Sequence, residues 1–457
     1  MRRSTRSRSR AASAAVTSAG GKWRGKPKAS ALTWLECQSR HARQFRPLCR
    51  VFGKKPPFGK RPHNGHCNPR LFSAFQSLRS SDSVEISQDW RLGMRIAALS
   101  LLALVSQACA PMEDVKTVPV SRTTVKVDQR IELMGVIQLL SGYFLVSYLD
   151  SGYKRDAASF FAACSDHAAV TKFSKLSAAG FDFNNVPEAF ISLSEPPELQ
   201  PRFPLGDSVI ASAGGAESLG DFWASARDFA QDCRFEEFYA SHQSEYERMV
   251  AQSRPTVVAS TSSLVAYLGT PLGSTQVILG PLLHDGGFAS RIDNEGGQAA
   301  AFAFIGPNAI TAGSVDFGDA ARLQPLVAHE FAHTVINPLT ASHASRVAAT
   351  AENFGPLRDA MRREGYSSWD QVINESIIRA ITSRLTAADR GEEAANAEVA
   401  EEVKRGFVYV PALVDELRRY EKNRSANADI ADIYPSLLGV FRLSSAELLS
   451  SLDVSSR

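Results

Sequence analysis

The tightest constraint on this chain is one stretch, Leu326-Val327-Ala328-His329-Glu330-Phe331-Ala332-His333-Thr334-Val335-Ile336-Asn337-Pro338. Pro325 suits the first turn of a helix, where its missing N–H costs nothing, and Pro338 predicts an end at or before Asn337. In between, His329 and His333 stand four residues apart. Both imidazoles then project from one face, with their Cβ atoms about 6 Å apart. Two nitrogen ligands at that separation can share a tetrahedral zinc. Glu330 lies beside them, within reach of a metal-bound water without being a ligand. The pattern is H-E-x-x-H, in which the glutamate serves a zinc peptidase as general base.

Chance alone would place this pattern in roughly one chain in a hundred of this length. The plainer alternative is an amphipathic core helix in which Val327, Phe331, Val335 and Ile336 pack and the polar residues are incidental. That helix would bury an unpaired glutamate, which is costly. The metal reading gives the glutamate a purpose, and the apolar flanks suit the dry cavity that a catalytic metal needs.

Composition divides the chain in two. Residues 1–93 hold 20 Lys+Arg against 4 Asp+Glu, and the remaining 364 hold 31 against 44. The basic head begins MRRSTRSRSR, lacks apolar periodicity and reads as a disordered extension, consistent with a gene start placed too far upstream. A nucleic-acid arm is the alternative, but Cys49, His63, His66 and Cys67 lack zinc-finger spacing, and no nucleic-acid partner is expected. At the junction, Met94-Arg95 precedes the apolar run IAALSLLALV and then Ser106-Gln107-Ala108. Residues 94–108 therefore read as a secretory signal peptide, too short to span a membrane. Cys109 directly after Ala108 resembles a bacterial lipid-attachment site, although Ser106 stands where leucine is usual. The expected location is exported: periplasmic, secreted or lipid-anchored at the envelope. Cys164 and Cys233 remain as a pair, either disulfide-bonded in an oxidising compartment or both buried thiols.

The rest predicts an α+β protein, mostly helical, with a helical N-terminal region over 109–254 and a catalytic domain over 255–457. An exposed strand is expected within 113–128. Helices are expected at 131–140, 154–164, 168–178 and 218–249, the last carrying core aromatics at helical spacing. The Pro-rich run 195–204 reads as a loop, and Arg254-Pro255 as the boundary. Strands follow at 276–283 and 299–306, separated by a turn-rich loop with glycines 286, 287, 296 and 297. The second strand is expected to border the cleft, where an extended peptide can pair with its edge. From Pro325 onward the pattern is helical.

The run His329-Glu330-Phe331-Ala332-His333 with Asn337-Pro338 resembles an uncharacterised bacterial domain-of-unknown-function family classed with gluzincin-like metallopeptidases. The similarity extends to Ile131-Glu132-Leu133-Met134-Gly135-Val136-Ile137, to Asn374-Glu375-Ser376-Ile377-Ile378-Arg379-Ala380 and to 407–441, covering about 115–445. The resemblance implies a zincin-like catalytic domain, a two-His, one-Glu zinc site and peptidase activity.

A catalytic zinc takes three protein ligands and keeps one position open. Metzincins add a further Gly and His, but positions 336 and 339 are Ile and Leu. The third ligand is then expected on a following helix. Ser368-Trp369-Asp370-Gln371 reads as a capping box, and Asn374-Glu375 lies one turn inside, the pair that thermolysin-like gluzincins carry. Glu375 is the expected ligand and Glu352 the rival. Arg379 stands where that family has an acidic residue, leaving the partners of the histidines unassigned. His343, Tyr409, Tyr420 and Tyr434 are candidate oxyanion donors or, equally, structural residues.

The expected function is an exported zinc-dependent metallopeptidase with Zn2+ on His329, His333 and Glu375, Glu330 as catalytic base, and a peptide or protein as substrate. Lipid attachment through Cys109 would tether it to a membrane. The alternatives are a zinc hydrolase of a non-peptide amide and a silent envelope-binding protein with a structural zinc.

Overall fold

A computed structural model describes residues 123–293, 299–425 and 428–455. The basic extension, the signal pattern and Cys109 lie outside them. Among the described residues no helix is long and apolar enough to cross a membrane. The fold is α+β and mostly helical, with a small mixed sheet.

Four strands form that sheet: β1 (Thr124–Lys126), β2 (Ser274–Leu279), β3 (Gly287–Asp293) and β4 (Ala299–Ile305). Their order is β1-β2-β4-β3, with β1, β2 and β4 parallel and β3 antiparallel to β4. A short hairpin, β5 (Ala309–Thr311) with β6 (Ser314–Asp316), leads into the histidine helix, Ala320–Ser342. Sequence reading placed β4 at the cleft border. In fact β4 lies inside the sheet, and β3, hidden in the glycine-rich stretch, forms the edge. Its glycines at 286 and 287 mask the strand alternation on which the prediction relied.

The two faces of the sheet differ because of side-chain size. Gly287, Ala289 and Arg291 of β3 share one face with their partners Ile305, Ala303 and Ala301 of β4. On this small-residue face the histidine helix lies close, and Arg291 Nη1 donates to the carbonyl of Thr334 at 3.4 Å. The other face carries Phe302 and Phe304, their rings 6.3 Å apart. Helices of the N-terminal region cover it. Gly135 of helix Gln129–Ser141 abuts Leu282, and Ser290 Oγ donates to Glu188 Oε2 of helix Asn185–Ile191 at 3.0 Å.

The expected boundary at Arg254-Pro255 lies inside one unbroken helix, Gln243–Leu268. Strand β1 from before that point also pairs with β2 from after it. Proline is tolerated there because each ring removes only one hydrogen bond. The same holds in the histidine helix. It starts at Ala320, capped by the Asp319 carboxylate, so Pro325 sits inside it, and it runs through Pro338 to Ser342. Pro338 cannot donate to the carbonyl of Thr334, and Arg291 occupies that acceptor instead. The predicted single helix over 218–249 is broken into Ala216–Asp232, Phe235–Ser241 and the start of Gln243–Leu268. Arg234, at φ 54°, makes the first break. Cys164 and Cys233 are disulfide-bonded.

Candidate metal centre

Two helices build the centre. The second, the glutamate helix Trp369–Arg390, begins at the expected capping box, where Gln371 Oε1 accepts from the Ser368 N–H at 3.1 Å. The two helices are tied where they cross. Thr340 Oγ1 donates to Asn374 Oδ1 and shares a further hydrogen bond with the Tyr434 hydroxyl. That contact turns Glu375, the next residue, toward the histidines.

His329, His333 and Glu375 come together as a group able to hold a metal ion. The two imidazole Nε2 atoms lie 3.2 Å apart. His329 Nε2 is 3.5 Å from Glu375 Oε2, and His333 Nε2 is 3.3 Å from Glu375 Oε1. Ligand atoms around a tetrahedral zinc with ordinary bond lengths stand about 3.3–3.4 Å apart. The donor set and its spacing therefore fit zinc. Among the described residues no fourth His, Cys, Asp or Glu joins the group. Glu352, the rival ligand, is exposed in the turn Ala351–Asn353 and is not a member.

Two of the three members have a partner behind them. His333 Nδ1 lies 3.2 Å from Asn337 Oδ1, one turn further along the helix. A proton on Nδ1 then points at the amide oxygen and leaves the Nε2 lone pair facing the centre. Glu375 Oε2 accepts from Arg379 Nη2 at 3.0 Å. Arg379 is mostly buried, with 10% of its side chain exposed; it grips Glu402 through Nη1 at 3.0 Å to each carboxylate oxygen, meets the Tyr366 hydroxyl at 3.2 Å, and lies 4.2 Å above the Phe407 ring. Arg379, at the position where an acidic residue is expected from the resemblance, supports the carboxylate rather than an imidazole. Asn337 has no such role in the sequence reading, although its four-residue spacing from His333 is the signal that points to it. The Glu402 and Tyr366 contacts carry no such signal, because they join separate helices.

Electrostatics follow from burial and this pairing. Burial opposes ionisation of Glu375, but Arg379 and the two imidazoles outweigh it and hold the carboxyl well below its usual range. Burial pulls His329 down against the pull of Glu375. His333 also pays for burial, yet its hydrogen bond to Glu375 and the charges of Glu375 and Glu330 push it up to about 9.

Glu330 differs from its neighbours. It is 6% exposed and, among the described residues, makes no hydrogen bond or ion pair. Burial, helped by the charge of Glu375, pushes its carboxyl up to about 7 against His333 and Arg379. It is seated on Gly287, where an added Cβ would stand 2.6 Å from Oε1. That contact puts the carboxyl at the start of the edge strand and beside the three-residue group.

The candidate oxyanion donors lie elsewhere. His343 caps the histidine helix through the Leu339 carbonyl, ten residues or about 15 Å along the axis from His333. The hydroxyls of Tyr409, Tyr420 and Tyr434 are spent on Leu443, on Tyr267 and Leu268, and on Thr340.

The fold and centre together define a helical α+β protein with a two-His, one-Glu group fitted to a divalent metal. The chain belongs to the family described as domain of unknown function DUF4932, which it matches over residues 123–440. No curated protein and no solved structure matches it.

Proposed function

We propose that this chain is an exported, zinc-dependent metallopeptidase of gluzincin type, with His329, His333 and Glu375 as ligands and Glu330 as general base. The observation that carries the reading is Glu330, a buried carboxyl with no polar partner among the described residues, beside a three-donor group. A carboxyl so placed is costly to keep unless it handles a proton. The Cys164–Cys233 disulfide supports an oxidising location.

Zinc bound here supplies Lewis acidity toward a carbonyl oxygen and an attacking water. Glu330 takes the proton of that water as its oxygen bonds to the carbonyl carbon. It then returns the proton to the nitrogen as the peptide C–N bond breaks. An affinity near neutrality suits both transfers. Asn337 fixes the His333 ring, and Arg379 with Glu402 fixes the Glu375 carboxylate. The free edge of β3 offers backbone groups to an extended peptide lying beside Glu330. With three donors in the group, one position remains for chemistry, which favours a catalytic metal over a structural one.

The test is metal content and cleavage of a peptide library by the chain from Cys109 onward. Close to one zinc per chain is expected, lost in H329A and in H333A, together with library cleavage. Zinc retained in both variants would remove the site assignment. Bound zinc without peptide cleavage, but with hydrolysis of other amides, would move the substrate class.

A further inference from the structure

Arg322 lies seven residues before His329, two turns away on the same face of the histidine helix. Residues 322, 326, 329 and 333 are all partly exposed, whereas Leu323, Val327, Ala328 and Glu330 are buried. Arg322 and the two histidines therefore share one partly exposed face, and Glu330 of the same helix meets the start of β3. Arg322 sits about 10 Å from His329 along the axis.

The Asp285 and Asp316 carboxylates lie near Arg322 without contacting its guanidinium. Nη2 donates to the Asp285 carbonyl, and Nη1 is buried without a partner. Among the described residues the guanidinium forms no ion pair. Burial pushes it down from its ordinary value, with Asp285, Tyr148 and Asp316 offsetting this only in part. A half-buried guanidinium with an unbonded N–H gains from an acceptor placed against that group.

Two more buried atoms without a partner among the described residues belong to residues around it: Asn308 Oδ1, and Nε2 of His284, whose neighbour Asp285 holds Arg322 through its carbonyl. A Cβ built on Gly318 would stand 3.2 Å from Asn308 Oδ1 and 3.0 Å from Arg322 Cδ, so the two side chains meet over a glycine. His284 precedes Asp285, and its Nδ1 accepts from the Gly286 N–H at 3.0 Å. The neutral ring then carries its proton on Nε2, as a donor. The cluster offers two donors, one acceptor and a guanidinium that no carboxylate contacts among the described residues. The last residue of a peptide presents the complement. Its carboxylate accepts from a guanidinium and an imidazole, while its own N–H donates to an amide oxygen.

We propose that Arg322, His284 and Asn308 form a subsite for the C-terminal carboxylate of a peptide whose scissile bond lies over the metal centre. The inference rests on the peptidase reading and narrows it. At about 3.3 Å per extended residue, the separation corresponds to release of a C-terminal fragment of about two or three residues. Products would be short free peptides and a shortened chain, one water being consumed per bond.

Binding can be measured apart from turnover by using zinc-loaded E330Q full chain. The probes are N-acetylated hexapeptides of Ala, Leu and Phe, with either a free carboxylate or a carboxamide at the C-terminus, titrated by calorimetry. The free acid is expected to bind about 10- to 100-fold more tightly. That preference should disappear in R322M and survive in part in R322K, with zinc content and Tm unchanged. Equal affinity for the two forms, no binding of either, or a full preference in R322M would overturn the subsite. A preference for acids that contain Asp or Glu regardless of C-terminal amidation would also overturn it, assigning the site to a side chain. If the parent protein cleaves nothing while the acid preference and its loss in R322M stand, the peptidase reading fails and the carboxylate site remains.

Discussion

Gly287 and Glu330 show how one missing side chain shapes the centre. Because a Cβ at 287 would stand 2.6 Å from Glu330 Oε1, G287A should displace the carboxyl from its seat. The expected outcome is retained zinc with reduced hydrolysis, read as metal content beside kcat. E330Q, which keeps the shape but cannot accept a proton, should hold zinc and lose about 10² to 10⁴ in rate. Full activity in E330Q would show that another group takes the proton. Metal affinity itself depends on pH through His333. Its affinity for a proton is raised to about 9, so below that pH zinc must displace a proton from the ring. Chelator competition should show affinity rising about tenfold per unit from pH 7 and levelling near 9. In the same assay E375A should weaken zinc by orders of magnitude and E352A should change it little. At this scale the sequence was most informative, because helical periodicity fixes which residues share a face. His329, His333, Glu330 and the cap that positions Glu375 were all readable from spacing. Arg322, His284 and Asn308 were not, since nothing local joins a loop before β3, a loop after β4 and the first turn of a helix.

Among the elements, the crossing of the histidine and glutamate helices decides whether the three donors meet. Thr340 bonds both Asn374 and Tyr434 there, and all three are buried. T340V keeps the shape but leaves an amide oxygen and a hydroxyl unsatisfied. A loss of about 1–3 kcal/mol in stability is expected, with weaker zinc binding, measured by denaturant unfolding and chelator competition. Unchanged stability would mean that packing alone holds the crossing. Proline misled the reading of both long helices. Pro255, Pro325 and Pro338 all lie within helices, and at Pro338 Arg291 takes up the Thr334 carbonyl that the ring leaves free. Glycine misled it in the opposite direction by hiding β3. Both errors have one cause: local preference is weak beside a large buried surface.

Across the whole molecule, the sheet binds the N-terminal region to the remainder, and the disulfide closes a loop within that region. Cys164 and Cys233 are 69 residues apart, and closing a loop of that length contributes about 4 kcal/mol by restricting the unfolded chain. Reduction, or C164S with C233S, should lower Tm by several degrees without changing zinc content, because the bridge lies among the N-terminal helices. A loss of metal on reduction would show that the two parts respond as one. The mostly helical α+β character was legible from periodicity, while the shared sheet was not, because pairing between distant segments leaves no local trace.

That shared sheet also sets an order of events in time. Strand β1 aligns Thr124 with Gln276, so its partner appears about 150 residues later in the chain. A polypeptide made or threaded from its N-terminus carries β1 as an unsatisfied edge until β2 arrives. The final docking of the N-terminal helices must wait as well, since the sheet face they cover does not yet exist. A fragment ending at Arg254 is therefore expected to be sticky rather than independently folded, and to become soluble when the complementary fragment is supplied in trans.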